Sequence, residues 1–202
     1  MKKTILITGA NSDLAFGSIK SLSKNNYLIL VSSNTKNLKK NFKGKNSLII
    51  QTENYEYKKI IRILKKEKIN LNAIVHFNGM QVFNSVNNIK KEIFEKIFNA
   101  NCYTFLETLK ITKNPELIKN LYSIVTISSV ASSKGNKGIS LYSSSKSALD
   151  NIVKSAALEL SKKKIRVNSI VLGHINKGMG NRVSKFLNSD QINYLKEQHP
   201  LG

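Results

Sequence analysis

Short apolar runs alternate along this chain with longer segments of helical periodicity, and this alternation limits the folds available to it. The runs cover residues 3–8, 27–32, 47–52, 73–77, 123–128 and 165–171. Most are nearly continuous apolar stretches, which is typical of strands that are covered by helices on both faces. The pattern therefore predicts a parallel sheet inside a layered α/β fold.

Between these runs, apolar residues recur with the spacing of a helix face. Tyr57, Ile60 and Leu64 lie at i, i+3 and i+7, and two longer segments, 89–112 and 141–162, carry similar patterns. Because crossovers between parallel strands are right-handed, such helices make the sheet doubly wound. Ligands of these sheets bind beyond the carboxyl ends of the strands, so we expect functional residues just after the strands.

Length and composition fit one globular domain spanning 1–202. The chain has 202 residues, of which 41% are hydrophobic and 22% are charged. No apolar stretch approaches the roughly 18 residues of a membrane span, and the first apolar run breaks at Gly9, too early for a secretory signal. The single cysteine, Cys102, excludes an internal disulfide and a zinc site with two thiolates. We expect a cytoplasmic protein without a metal site.

The formal net charge is +21, from 33 Lys+Arg against 12 Asp+Glu. Nearly all of the positive charge is lysine, since arginine occurs only at Arg62, Arg166 and Arg182. Surfaces that read bases usually rely on arginine, and these lysines are spread along the chain among many Asn and Ile. We therefore expect no specific nucleic-acid partner and no membrane partner, but weak attraction to polyanions at low salt.

The turn after the first predicted strand is rich in small residues. It reads Thr8-Gly9-Ala10-Asn11-Ser12-Asp13-Leu14-Ala15. Small residues let the backbone approach a pyrophosphate, and the amino end of the following helix attracts an anion. An ordinary strand-to-helix turn capped by Asn, Ser or Asp explains the same residues. With one glycine in the segment, both interpretations stay open.

The strongest functional pattern joins Ser129 to Tyr142 and Lys146. Tyr142 and Lys146 are four residues apart, which puts them on one face of a helix, while Ser129 ends a predicted strand upstream. A lysine charge at about 4 Å is worth about 4 kcal/mol at an effective dielectric of about 20, which brings a tyrosine pKa from about 10 toward about 7. Such a tyrosine can transfer protons near neutral pH. A polar surface helix beside a serine-rich loop is the alternative.

Together with Thr8-Gly9 and the stretch from Arg166 to Ile175, this pattern resembles the short-chain dehydrogenase/reductase family, most of all its 3-oxoacyl-[acyl-carrier-protein] reductases. The resemblance implies a Rossmann-type sheet of about six strands in the order 3-2-1-4-5-6. It also implies an NAD(P)-dependent oxidoreductase that interconverts a carbonyl and an alcohol by hydride transfer. The substrate would be a small molecule, free or bound to a carrier protein.

The resemblance also gives the catalytic residues their roles. Ser129 holds the substrate oxygen, Tyr142 transfers the proton, and Lys146 also bonds the nicotinamide ribose. Asn101 kinks the helix around it and holds a water in a proton relay to the lysine. Cys102 is expected to be a packed neighbour and not a nucleophile.

Other segments match the cofactor-binding parts of the family. The tetrapeptide His76-Phe77-Asn78-Gly79 resembles its Asn-Asn-Ala-Gly signature, and His76 is expected to be a hydrogen-bonded structural residue. No carboxylate follows the second strand, so Ser33 and Lys36 favour the 2′-phosphate of NADP over NAD, unless Lys36 is simply part of a solvated helix start. The expected cofactor-binding residues are Gly9, Asn11, Ser12, Leu14, Ser33, Lys36, Glu53, Asn78, Gly79, Tyr142, Lys146, Gly173 and Ile175.

The chain departs from the family pattern at several positions. Asp13 stands where the family has a glycine near the phosphates, and Lys177 where it has a threonine near the nicotinamide. Residues 179–198 are expected to form a helical lid, and the last helix and strand of the family are expected to be absent.

Two alternatives to a 3-oxoacyl-thioester reductase stay open: a sugar or polyol oxidoreductase of the same family, and a non-catalytic binding or scaffold protein. Helices 89–112 and 141–162 are expected to pair in a homo-oligomer such as a dimer.

Overall fold

Six parallel strands form one sheet in the order β3-β2-β1-β4-β5-β6. The computed structural model describes residues 2–42, 46–53, 56–175 and 188–197. The strands are β1 (Thr4–Thr8), β2 (Tyr27–Ser32), β3 (Ser47–Gln51), β4 (Ala73–His76), β5 (Ser123–Ser129) and β6 (Arg166–Leu172). The predicted sheet and its strand order are confirmed, and each strand begins and ends within one residue of its prediction.

Helices connect successive strands. In the described part of the chain they are α1 (Asp13–Leu22), α2 (Lys36–Phe42), α3 (Tyr57–Lys66), α4 (Lys91–Phe98), α5 (Thr104–Leu109), α6 (Pro115–Ile118), α7 (Ser140–Ser161) and α8 (Ser189–Glu197). The segment predicted as one helix over 89–112 is α4 and α5 joined by a π-helical turn, Asn99–Tyr103. Among the described helices, none has both the length and the apolar character needed to cross a bilayer.

Both faces of the sheet are covered, which explains the continuous apolar runs. Successive side chains of a strand point to opposite faces. Leu28 and Leu30 of β2 pack in one apolar cluster with α1 and α2, whereas Ile29 and Val31 pack in the other with α3, α5 and α7. All four side chains are fully buried.

The order of the strands reverses between β1 and β4, and this reversal positions the functional site. The connection after β1 enters α1 on one face of the sheet, and the connection after β4 leads toward α4 and α5 on the other face. Their loops diverge and leave a cleft at the carboxyl ends of the two strands. Residues 176–187 and 198–202, which include Lys177 and much of the predicted lid, lie outside the described residues; the described part of the lid contains α8.

Candidate active site

A cavity of about 410 Å³ opens where the strand order reverses. Its walls come from the loops after β1, β2 and β4 and from the turn between α4 and α5. The lining residues are Gly9, Asn11, Ser12, Ser32, Ser33, Asn34, Phe77, Asn78, Gly79, Asn99, Ala100 and Thr104. Six of the residues expected to bind the cofactor are therefore brought together. Asn99, Ala100 and Thr104 were missed, because nothing in the sequence shows that this turn reaches the cavity.

Gly9 lets two loops approach closely at the floor of the cavity. Its backbone has a φ of +66°, which is strained for any residue with a side chain. A Cβ at this position would lie 2.7 Å from Asn78 Oδ1 and 2.8 Å from the Phe77 carbonyl carbon. The loops after β1 and β4 could not pack in this way around any other residue.

Two asparagines beside Gly9 have buried oxygen atoms without a hydrogen-bond partner among the described residues. These atoms are Asn11 Oδ1 and Asn78 Oδ1, and both residues line the cavity. A buried polar atom without a partner is costly, so such atoms mark a place for a polar ligand. Ser12 caps α1 by accepting a hydrogen bond from the Ala15 backbone N–H at 3.2 Å. Asp13 is exposed and lies outside the lining.

The loop after β2 forms the other end of the cavity. Ser33 and Asn34 belong to the lining, and the Asn34 side chain accepts a hydrogen bond from the Lys36 backbone N–H at 3.0 Å. Lys36 is exposed at the start of α2, next to this end of the cavity but outside its lining. Glu53 is exposed after β3, also outside the lining. Within residues 32–36 there is no carboxylate.

His76 is fully buried at the end of β4 inside a group of threonine hydroxyls. Its Nδ1 lies 2.7 Å from Thr8 Oγ1 and 3.2 Å from Thr108 Oγ1, and its Nε2 lies 3.3 Å from Thr104 Oγ1. Burial, and secondarily the charge of Lys146, lower the pKa of His76 to about 3. The imidazole is therefore neutral at physiological pH, and the expectation of a hydrogen-bonded structural histidine is confirmed.

Ser129, Tyr142 and Lys146 come together where β5 meets α7. Ser129 ends β5, and its hydroxyl accepts a hydrogen bond from the Ala131 backbone N–H at 3.2 Å. Lys146 Nζ lies 5.8 Å from the centre of the Tyr142 ring and donates to the Ile127 carbonyl at 2.8 Å. Lys146 is only 4% exposed, although lysine side chains usually remain in water. A surface helix, the alternative interpretation, is excluded at this position.

The protonation of this group differs from the expectation drawn from spacing. Burial raises the pKa of Tyr142, and hydrogen bonding to Ser129 opposes this effect. The prediction that Lys146 brings this pKa toward neutrality was wrong for the structure as it stands, because the lysine is turned toward Ile127 and burial dominates. Burial also lowers the pKa of Lys146 to about 8, so the ammonium form still prevails at pH 7.

Asn101 links α7 to the loop after β4. It is fully buried in the middle of the π-helical turn, which is the helix irregularity expected there. Its Oδ1 accepts from the Met80 backbone N–H at 2.7 Å, and its Nδ2 donates to Met80 O at 3.0 Å and to Ser145 Oγ at 2.7 Å. A Cβ on Gly79 would lie 3.2 Å from Asn101 Oδ1 and 3.4 Å from Lys146 Nζ. The cavity and the group formed by Ser129, Tyr142 and Lys146 thus meet at Gly79.

Ser145 is a member of this network that sequence reasoning missed. It is fully buried, accepts from Asn101, and donates to the Tyr142 carbonyl at 2.8 Å. The available signal was periodicity, since Ser145 falls on the buried face of α7 with Leu141 and Leu149. Cys102 packs beneath it, with Sγ 3.1 Å from Ser145 O, and burial raises the pKa of its thiol. This contact agrees with the expectation that Cys102 is a packed neighbour of the site.

The remaining expected positions do not join the cavity. Leu14 is 36% exposed on α1, while Gly173 and Ile175, after β6, are exposed. Lys177 lies outside the described residues. Within the described ranges, no three His, Cys, Asp or Glu side chains come close enough together to hold a metal ion.

Comparisons with known proteins agree with this architecture. The family profile described as "Enoyl-(Acyl carrier protein) reductase" matches residues 34–202. The 3-oxoacyl-[acyl-carrier-protein] reductase FabG of Buchnera aphidicola subsp. Baizongia pistaciae is 32% identical over 195 residues, which cover 91% of this chain and 78% of that protein. Carbonyl reductase [NADPH] 2 of Sus scrofa is 34% identical over 112 residues, covering 55% of this chain and 45% of the relative.

A solved structure extends the likeness to the whole fold. The structure of 4-hydroxyisoleucine dehydrogenase complexed with NADH superposes with a TM-score of 0.86 at 25% identity. The match covers 97% of this chain and 82% of that one. With its doubly wound sheet, its cavity at the reversal of strand order and these relatives, the chain belongs to the short-chain dehydrogenase/reductase family of oxidoreductases.

Proposed function

We propose that this protein is an NADP(H)-preferring reductase that interconverts a carbonyl and an alcohol by hydride transfer. The observation that carries the proposal is the meeting of the cavity with the catalytic group at Gly79, next to Asn101 and Lys146. One wall would hold the cofactor, and the other would handle the proton of the reaction. A hydride and a proton are what carbonyl reduction needs.

The cavity fits a dinucleotide. Asn11 Oδ1 and Asn78 Oδ1 are buried acceptors without partners, and the amino end of α1 offers backbone N–H groups to phosphate. Ser33 and Asn34 line the end of the cavity after β2, and Lys36 lies next to it. Folds of this type hold the adenosine ribose after the second strand, and no carboxylate within residues 32–36 opposes a 2′-phosphate. These features support NADP over NAD.

The protein's own side chains would donate and accept the proton of the reaction. When bound, the nicotinamide supplies or accepts the hydride. Because burial keeps Tyr142 protonated at neutral pH, its hydroxyl can donate a proton to the substrate oxygen while Ser129 hydrogen-bonds the same oxygen. The Lys146 ammonium lies 5.8 Å from the centre of the Tyr142 ring, and its positive charge would favour the phenolate that remains once the proton has left. Asn101 would hold a water through which Lys146 exchanges protons with solvent.

We further propose a 3-oxoacyl thioester on a carrier protein as the substrate, since several similar proteins are named 3-oxoacyl-[acyl-carrier-protein] reductases.

A homodimer through α4, α5 and α7 fits the proposal. Tyr103, Leu106 and Leu158, on or next to these helices, are 51%, 41% and 77% exposed. The setting we propose is the cytoplasm, with Cys102 reduced.

Titration with NADPH and NADH, followed by nicotinamide fluorescence, tests the proposal. We expect NADPH to bind more tightly than NADH. Lys36→Ala should weaken NADPH about tenfold and leave NADH unchanged, because a charged hydrogen bond is worth roughly 1.5–3 kcal/mol. Lys39→Ala, a matched exposed lysine on the same helix, should change neither. Equal affinities in the wild type refute the NADP preference, and binding of neither by a folded protein refutes the enzymatic role.

A further inference from the structure

The connections that enter the strands gather at one edge of the sheet, opposite the active site. All six strands are parallel, so these connections share the amino edge. Backbone hydrogen bonds tie neighbouring ones together, from Tyr27 N to Lys3 O, from Tyr122 N to Asn72 O and from Arg166 N to Tyr122 O. Segments far apart in the sequence therefore form one continuous surface.

This surface is rich in exposed lysine. We define the amino-edge lysine face as Lys2, Lys3, Lys24, Lys68, Lys119 and the lysine run 162–164, all of which are exposed. The carboxyl ends of the helices at this edge each carry about half a negative charge, which lysines nearby favourably compensate. The eight lysine charges on this face exceed the negative charge of these helix ends, so part of the positive charge remains to attract an anionic ligand.

Few carboxylates offset the charge. In the described residues at this edge they are Glu67, Glu159 and Glu116, and Glu116 is already paired with Lys65 at 2.5 Å. The opposite edge is different. Its described connections, with the first residues of the helices that they enter, carry Lys36, Lys90, Lys91, Lys134 and Lys137 against Asp13, Glu53 and Glu56. The positive charge is therefore concentrated on the edge away from the active site.

We propose that the amino-edge lysine face binds the phosphate backbone of double-stranded nucleic acid without reading its sequence. Lysine is a flexible point charge that suits phosphates, whereas base recognition favours arginine. Among the described exposed large apolar side chains, Leu158 comes nearest in sequence to these lysines, and the proposed homodimer would cover it, so the face offers little to a protein core or to a membrane interior. Six strands span about 24 Å, or about seven base pairs of a duplex laid across them.

Fluorescence anisotropy with labelled 24-base-pair DNA duplexes tests this proposal. The logarithm of the binding constant should fall with the logarithm of salt concentration with a slope of about −4.5, as for roughly five phosphate contacts. Duplexes of unrelated sequence should bind within about threefold of each other.

Charge reversal distinguishes DNA binding through this face from attraction by the net charge of the whole protein. The triple variant Lys68→Glu, Lys162→Glu and Lys164→Glu should bind DNA at least tenfold more weakly, and its salt slope should be smaller by about 2 to 3. The matched control, Lys90→Glu, Lys134→Glu and Lys137→Glu, changes the net charge equally at the opposite edge and should stay within about twofold of wild type. Circular dichroism checks that both variants are folded.

Three results overturn the proposal. Equal weakening by both triple variants would mean that net charge alone attracts DNA. A strong preference among duplex sequences would mean base reading. Displacement of the duplex by phosphatidylserine vesicles or polyglutamate at lower anionic charge than competing DNA would identify a membrane or an acidic protein as the partner. None of these assays depends on turnover or on cofactor binding.

Discussion

The buried imidazole of His76 should make the protein sensitive to acid. Its pKa is about 3 in the folded state, against an ordinary value of 6.5 when unfolded. Between these two values the unfolded chain binds one more proton than the folded chain, so stability falls as the pH drops. This neutral histidine therefore stabilises the fold above about pH 6.5, and its contribution is lost as the pH falls toward 3.

The size of the effect follows from these two pKa values. Between pH 7 and pH 5, the free energy of unfolding should fall by about 2 kcal/mol through His76 alone. The variant His76→Asn carries no titratable group here, so its loss over the same interval should be smaller by about 2 kcal/mol. Each protein is compared with itself at the two pH values, so a difference in absolute stability between wild type and His76→Asn does not affect the comparison.

Urea unfolding at pH 7 and pH 5, followed by circular dichroism, measures this difference. Ser145→Ala, which removes a fully buried hydroxyl and no titratable group, is the control for a destabilised core and should retain the wild-type loss. An equal loss in wild type and in His76→Asn would refute the reasoning. If His76→Asn does not fold, NMR titration of the wild-type imidazole replaces it; protonation of His76 above about pH 5 would then be the refuting result.

Other substitutions test the cavity and the proposed catalytic residues. Gly9→Ala should abolish NADPH binding, because its Cβ would lie 2.7 Å from Asn78 Oδ1; Gly17→Ala, whose Cβ meets nothing within 4 Å, should bind as wild type in the same fluorescence titration. Tyr142→Phe should lower turnover by about 10²–10⁴-fold while NADPH affinity changes little, and undiminished steady-state activity would exclude it as the proton donor. Ser145→Ala should lower kcat about tenfold without changing the KM for NADPH, because Asn101 loses a buried hydrogen-bond partner. Ser144→Ala, at an exposed position on the same helix, is its control. Equal kinetics in the two variants would contradict a positioning role for Ser145.

Much of the fold was predictable because its signals are local. A strand buried on both faces needs a continuous apolar run, and a helix repeats its buried positions every three or four residues. The segments around Leu28 and Ile60 show these two patterns without any knowledge of their neighbours. The spacing of Tyr142 and Lys146 is equally local, because one helical turn places both on one face.

The chemistry of those residues was decided by tertiary structure. Spacing suggested that Lys146 lowers the pKa of Tyr142, but the fold buries Lys146, half-buries Tyr142 and turns the lysine toward Ile127 on β5. The pairing of Asn101 with Met80 and Ser145 joins three segments that no sequence pattern connects.

The lysines show the same division between sequence and structure. Along the chain they look evenly spread, and parallel topology alone collects those that precede the strands at one edge. Sequence patterns thus determined which elements form, since periodicity depends on near neighbours. Burial, hydrogen-bond partners and the surface charge distribution depend on which distant segments meet, and only the folded chain specifies that.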